Sequence, residues 1–223
     1  MPAQAAPSRP DAGAWPALLG LLVYYGLISV GYLALTRGSG VIPWPFARVA
    51  SLGEAYGRVL QYLPVVALCL AALLFARRSD RPLARLYRGS RPGWLAYVAL
   101  LGSLAYAASM LGRHPDLGSV AAFLPPLLLL SALNSLAEET VYRGAFMELL
   151  QGVVRAPGAV VLLQALVYAA PHYFIAPRVA LLAFGFGCVL GALRLRQGDL
   201  GACLLCHLIV DLGAIGAPFL PRP

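Results

Sequence analysis

Charge is scarce in this sequence. Charged residues make up 12% of its 223 positions and hydrophobic ones 60%, where an average soluble domain is about one-quarter charged. So few polar residues cannot coat a soluble fold of this size. That excludes an ordinary soluble enzyme, a disordered chain and a nucleic-acid-binding arm. Lysine is absent altogether: all 17 basic residues are arginine, set against 9 acidic ones. In so apolar a chain the basic surplus points to a membrane surface rather than to nucleic acid. Cysteine is sparse, and Cys69, Cys188, Cys203 and Cys206 all lie in apolar runs, so no secreted disulfide framework is expected. Strand alternation, tandem repeats and a separate soluble domain are missing. So are the His-Glu-x-x-His signature of common zinc proteases and a Ser or Cys spaced to pair with a base.

What the sequence has in quantity is long apolar runs. They extend from Trp15 to about Thr36, Val59 to Ala76, Gly93 to Leu111, Ser119 to Leu150, Ala156 to Ala176, Val179 to Leu195 and Leu200 to Ala217. A bilayer-spanning helix needs about 20 apolar residues, so the expectation is an all-α polytopic membrane bundle of about seven helices (six to eight). Pro125 and Pro126 are expected to kink the fourth run near its start. The first run is too long for a signal-peptide core and reads as a transmembrane helix. Residues 1–14 read as a flexible tail, 15–118 as N-terminal helices, 119–217 as the functional core and 218–223 as a short tail. The loop 77–92 carries Arg77, Arg78, Arg81, Arg85, Arg88 and Arg91. By the positive-inside rule it is cytoplasmic, and so is the N-terminus. The compact, short-looped chain points to a bacterial plasma membrane.

Three of the nine acidic residues lie inside apolar helices rather than at loops: Glu138, Glu139 and Asp211. Burying a charge at mid-bilayer costs about 3 kcal/mol on insertion scales, so such groups are functional candidates. Glu139 and Arg143 are four residues apart, the spacing of a helical ion pair. Glu138 points about 100° away and is left to face a cavity as a general base. His172 follows Tyr168 by one turn, and His207 precedes Asp211 by one turn. Counted from the inside ends of their helices, Glu138, His207 and His172 lie roughly 15, 12 and 22 Å deep, close enough to share one cavity. Tyr142 and Tyr168 are expected to line it. Cys203-Leu-Leu-Cys206-His207 also matches the c-type haem attachment pattern, but in an apolar helix. No cofactor is expected; zinc on Glu138, His172 and His207 is the alternative.

Taken in order, Glu138-Glu139-Thr-Val-Tyr-Arg143, Tyr168-Ala-Ala-Pro-His172 and His207-Leu-Ile-Val-Asp211 resemble the CPBP intramembrane proteases, also called the Abi or C-a-a-X protease type. The spacings are 34 residues from Glu138 to His172 and 35 from His172 to His207. Tyr168 stands where Phe is usual, and Asp211 where Asn is also common. The resemblance implies peptide-bond hydrolysis in the membrane by a glutamate-type mechanism. Glu138 would activate water with help from His172. His207 and Asp211 would stabilise the oxyanion or orient its donor, and Glu139 with Arg143 would hold the base in place. The implied partners are the lipid bilayer and a membrane-anchored or lipid-modified protein cut near its C-terminus. Two other readings fit the residues alone: a proton- or ion-coupled transporter using the same groups as a relay, and a non-catalytic immunity-type membrane protein.

Overall fold

The computed structural model describes residues 14–33, 45–76, 87, 91–113 and 116–221, and these form an all-helical bundle. The helices are α1 (Ala14–Leu33), α2 (Leu52–Ala76), α3 (Trp94–Leu111), α4 (Leu117–Glu139), α5 (Met147–Val153), α6 (Pro157–Ala169), α7 (Pro177–Gln197) and α8 (Gly201–Phe219). A π-helical segment, Thr140–Phe146, joins α4 to α5, and a 3₁₀ turn, Ala170–Phe174, follows α6. Most of the arginine-rich loop and most of the N-terminal tail lie outside the described residues, as does His114.

Among the described residues, five stretches are long and apolar enough to cross a membrane: Leu52–Leu74, Trp94–Leu111, Val120–Val153, Pro177–Gln197 and Gly201–Phe219. The expected count of seven is not confirmed on these criteria. The run expected from Ala156 to Ala176 is the clearest departure. Its α-helix is 13 residues long, about 20 Å, short of the ~30 Å hydrocarbon core. It stops where Pro171 brings a ring in place of an N–H.

Local chemistry explains where the helices begin and end. Ser51 accepts from the Glu54 N–H at 3.2 Å, and Glu54 reaches back to the Ala50 N–H at 2.9 Å. This reciprocal cap starts α2 seven residues before the strongly apolar run. Asp116 caps α4 through the Gly118 N–H. Pro157 and Pro177 sit in the first turns of α6 and α7, where a missing N–H costs nothing. Gly198, at φ +78°, closes α7 in the left-handed conformation that glycine adopts without strain. Pro125 and Pro126 lie inside a continuous α4; the regular ladder gives way 14 residues later, at the π segment.

The main pairings are α3 with α8, α6 with α7, and α4 with both α2 and α8. Small residues bring the backbones together. A Cβ at Gly191 would meet Gln164 Nε2 at 2.5 Å, and one at Gly213 would meet the Ala107 backbone at 2.8 Å. Phe219 and Leu220, expected in a C-terminal tail, are fully buried, and the Phe219 carbonyl accepts from the Val49 N–H. Large apolar side chains such as Leu60, Leu101, Leu181 and Leu182 face outward. In water that surface would be an aggregation hazard; in lipid it is the ordinary exterior. The chain is an integral membrane protein.

Candidate active site

The polar cluster is built on the junction of α4 with the π segment, on the end of α6 and on α8. Single π turns inside α-helices recur at functional sites. Here the π segment begins directly after Glu139 and contains Arg143. All seven of its residues are buried, so its altered register is held from outside. Arg194 of α7 donates from Nε to the Arg143 carbonyl at 3.1 Å. The Tyr87 hydroxyl, from between α2 and α3, pairs with Thr140 Oγ1 at 2.8 Å. Burial pushes the Tyr87 phenol above its usual pKa, with the Thr140 bond pulling the other way, so it stays a neutral hydroxyl.

The two adjacent glutamates have opposite surroundings. The Glu139 side chain is fully buried. Its Oε1 accepts from Arg143 Nη1 at 2.8 Å and from His207 Nδ1 at 2.6 Å. Arg143 is also fully buried, with its guanidinium 4.3 Å from the centre of the Tyr168 ring, a cation–π contact strengthened by desolvation. Glu138 retains 19% side-chain exposure, and its Oε2 lies 3.6 Å from His207 Nε2. It borders a cavity of about 550 Å³, a size typical of ligand sites. Asp211 and His172 border the same cavity. The pairing of Glu139 with Arg143, and the separation of Glu138 from it, match the helical spacing.

His172 is half-buried in the 3₁₀ turn. Its Nδ1 sits 3.0 Å from the Tyr168 carbonyl. A carbonyl only accepts, so Nδ1 carries the hydrogen, and a neutral His172 presents an acceptor at Nε2. Pro171 has no N–H to offer that carbonyl, which leaves it to the imidazole. Both imidazoles flank one ring: Tyr168 lies 5.0 Å from His172 and 5.9 Å from His207, centre to centre.

One expectation needs correction. Tyr142 and Tyr168 are 1% and 3% exposed and are not among the residues bordering the cavity. They stack edge to face at 5.1 Å as the wall behind it, because Arg143 draws the Tyr168 face inward. The apolar lining comes instead from residues such as Phe46, Val65, Ile175 and Ile215. Cys203 and Cys206, whose haem-like spacing falls in an apolar helix, are 0% and 1% exposed, and Cys203 donates to the Leu190 carbonyl. Among the described residues no three His, Cys, Asp or Glu side chains are grouped to hold a metal ion.

The sequence reading missed a second polar group. Asn134 and Ser135, one turn before Glu138 and Glu139, reach Asp211 Oδ2 at 2.9 and 3.1 Å. Tyr62 of α2 donates its hydroxyl to Asn134 Oδ1. One signal was available: Asn134 is the only asparagine in the chain, and it lies four residues from Glu138 inside an apolar run.

The site is a helical membrane bundle's buried, ion-paired glutamate beside a cavity-facing one. The comparison with family models gives a narrower class. Residues 120–213 match the family described as type II CAAX prenyl endopeptidase Rce1-like, so this segment is of the CPBP, or CAAX-protease, type. The matched stretch contains every residue of the three motifs. No curated protein and no solved structure matches the chain.

Proposed function

We propose that this protein is an intramembrane endopeptidase of the glutamate type. Its substrate would be a membrane-anchored or lipid-modified protein, cut near its C-terminus. The observation that carries this reading is the division of labour between the paired glutamates. Glu139 is committed to Arg143 and His207, while Glu138 faces the cavity with no Arg of its own. A carboxylate so placed can take a proton from water. The resulting hydroxide adds to the peptide carbonyl carbon, and the carbonyl electron pair moves to oxygen. Collapse of that intermediate breaks the C–N bond, and the proton held by Glu138 passes to the leaving nitrogen. His172, with its acceptor Nε2 at the same cavity, assists in holding the water. His207 and Asp211 stand where they can face the oxyanion or orient its donor.

Glu138→Gln tests the reading. Turnover should fall at least about a thousandfold, within the range ascribed to general-base loss, with the thermal unfolding of the purified protein unchanged. Retained cleavage would remove Glu138 from the mechanism. The same chemistry should survive a chelator in the cleavage assay. The arginine-rich loop 77–92 supports a cytoplasmic N-terminus in a bacterial plasma membrane, which reporter fusions to that loop would check.

A further inference from the structure

We infer that Asn134 supplies an amide hydrogen to the oxyanion formed during cleavage, an assignment that rests on the endopeptidase reading above. Asn134 and Glu138 are one turn apart on α4 and both border the cavity. The amide cannot flip freely. Tyr62 donates to Oδ1, and Nδ2 donates to Asp211 Oδ2 at 2.9 Å. Reversed, its oxygen would oppose a carboxylate oxygen, although its nitrogen could still donate to the phenol oxygen, so Asp211 sets the orientation. Nδ2 therefore sits on the Asp211 side of the residue, which also borders the cavity. One of its hydrogens serves Asp211; the other has no partner among the described residues.

Several neighbouring groups are poorer donors, while Tyr106 also borders the cavity and His207 Nε2 lies 3.6 Å from Glu138 Oε2. Ionised Glu138 and Asp211 only accept. His172 has spent its Nδ1 hydrogen on the Tyr168 carbonyl, and Tyr62 has spent its own on Asn134. Ser135 Oγ lies 2.8 Å from the Ser131 carbonyl and 3.1 Å from Asp211, and its single hydrogen can serve only one of them. Asp211 thus orients a donor instead of being one. The carboxylate at 211 and the amide at 134 form a pair in which α4, not α8, carries the N–H. As the carbonyl oxygen gains charge, this hydrogen bond strengthens, which is how preorganised donors lower a barrier.

The test uses the full-length protein in lipid nanodiscs with a set of fluorogenic C-terminal tail peptides, prenylated and unprenylated. Asn134→Ala should lower kcat roughly a hundredfold, as removal of an oxyanion donor does elsewhere, with KM moving less than about threefold. Returning an amide from the other side, Asn134→Ala with Asp211→Asn, should recover at least about tenfold of that loss. A merely structural Asn134 predicts no such rescue. Asn134→Asp keeps the shape and covers the case in which the alanine variant does not fold; it should show the same kcat loss. The donor assignment falls if a folded Asn134→Ala or Asn134→Asp keeps more than a third of wild-type kcat, or if the double variant recovers nothing. Glu138→Gln, run alongside, separates the two layers. If it is inactive while Asn134 proves dispensable, only the donor is wrong. If it turns over normally, or the wild type cuts none of the peptides, the hydrolytic reading and the donor fall together.

Discussion

Glu138 and Glu139 are covalent neighbours, yet they occupy two different environments. On one side of the helix, Glu139, Arg143 and the Tyr168 ring form a buried knot, from which His207 reaches across with its Nε2 3.6 Å from both Glu138 and Asp211. On the other, Glu138, Asn134, Asp211 and His172 border open volume. The lesson is that a helix step of about 100° lets one sequence motif carry both a structural charge pair and a reactive carboxylate. The closed half holds His207 and α8 against α4; the open half does chemistry. If that division is right, substitutions in the two halves should separate stability from turnover.

The largest effects should come from the two carboxylate sites. Glu138→Gln should lose turnover and keep stability, as set out above. Arg143→Ala should do the reverse first. It leaves Glu139 in a fully buried site with only His207 Nδ1 as a partner, and losing one partner of such a pair costs about 3–5 kcal/mol. The chemical unfolding midpoint in detergent should drop accordingly. Replacing both partners, Glu139→Gln with Arg143→Met, should return most of that stability, because no charge is stranded and a glutamine oxygen still accepts from His207 Nδ1. A double variant as unstable as Arg143→Ala would mean that the pair's role is packing on Tyr168 rather than neutralising Glu139.

A smaller loss should follow at the helix contact that carries the second motif. At Gly191 a Cβ would meet Gln164 Nε2 at 2.5 Å and its Cδ at 3.2 Å, and Gln164 donates to the Gly187 carbonyl at 2.6 Å. Gly191→Ala must displace that amide, and overpacking of this kind costs about 1–3 kcal/mol. Because α6 presents His172, turnover should fall in parallel with the unfolding midpoint. A stability loss without any change in turnover would show that the α6–α7 contact does not position His172.

These contrasts also mark what sequence reading can reach. Glu139 with Arg143 was legible because helical spacing fixes an i, i+4 pair whatever the tertiary fold. Depth arithmetic along apolar runs set Glu138, His172 and His207 at levels that could share one cavity, but the contact of His207 with Glu139 was not legible. Asn134 escaped because a lone amide carries no spacing partner within its own helix; its partners, Tyr62 and Asp211, come from α2 and α8. The roles of Tyr142 and Tyr168 were misread for a related reason. Periodicity says which residues share a face, but not which of two neighbours that face meets, and here an arginine took the ring that was assigned to the cavity. The break in α6 was half-legible: Pro171 announced a disturbance, but not that the α-helix would end there.

The smallest expected effect probes the wall between the two halves. Tyr168 touches both: its ring lies under Arg143 and 5.0 Å from the His172 ring, and its hydroxyl is 3.5 Å from His207 Nε2. At that distance the hydroxyl contributes little, since protein hydrogen bonds centre near 2.8 Å for such donors and weaken quickly beyond. The ring is the larger part, as a cation–π contact worth about 2 kcal/mol when desolvated. Tyr168→Phe keeps the ring and removes only the hydroxyl, so turnover should change by less than about threefold and stability by under about 1 kcal/mol. Tyr168→Leu removes the ring and should cost stability on the cation–π scale, with Arg143 left unsupported. If Tyr168→Phe instead abolished cleavage with the protein still folded, the hydroxyl would belong to the open half, and the wall between Glu138 and the buried pair would have to be redrawn around it.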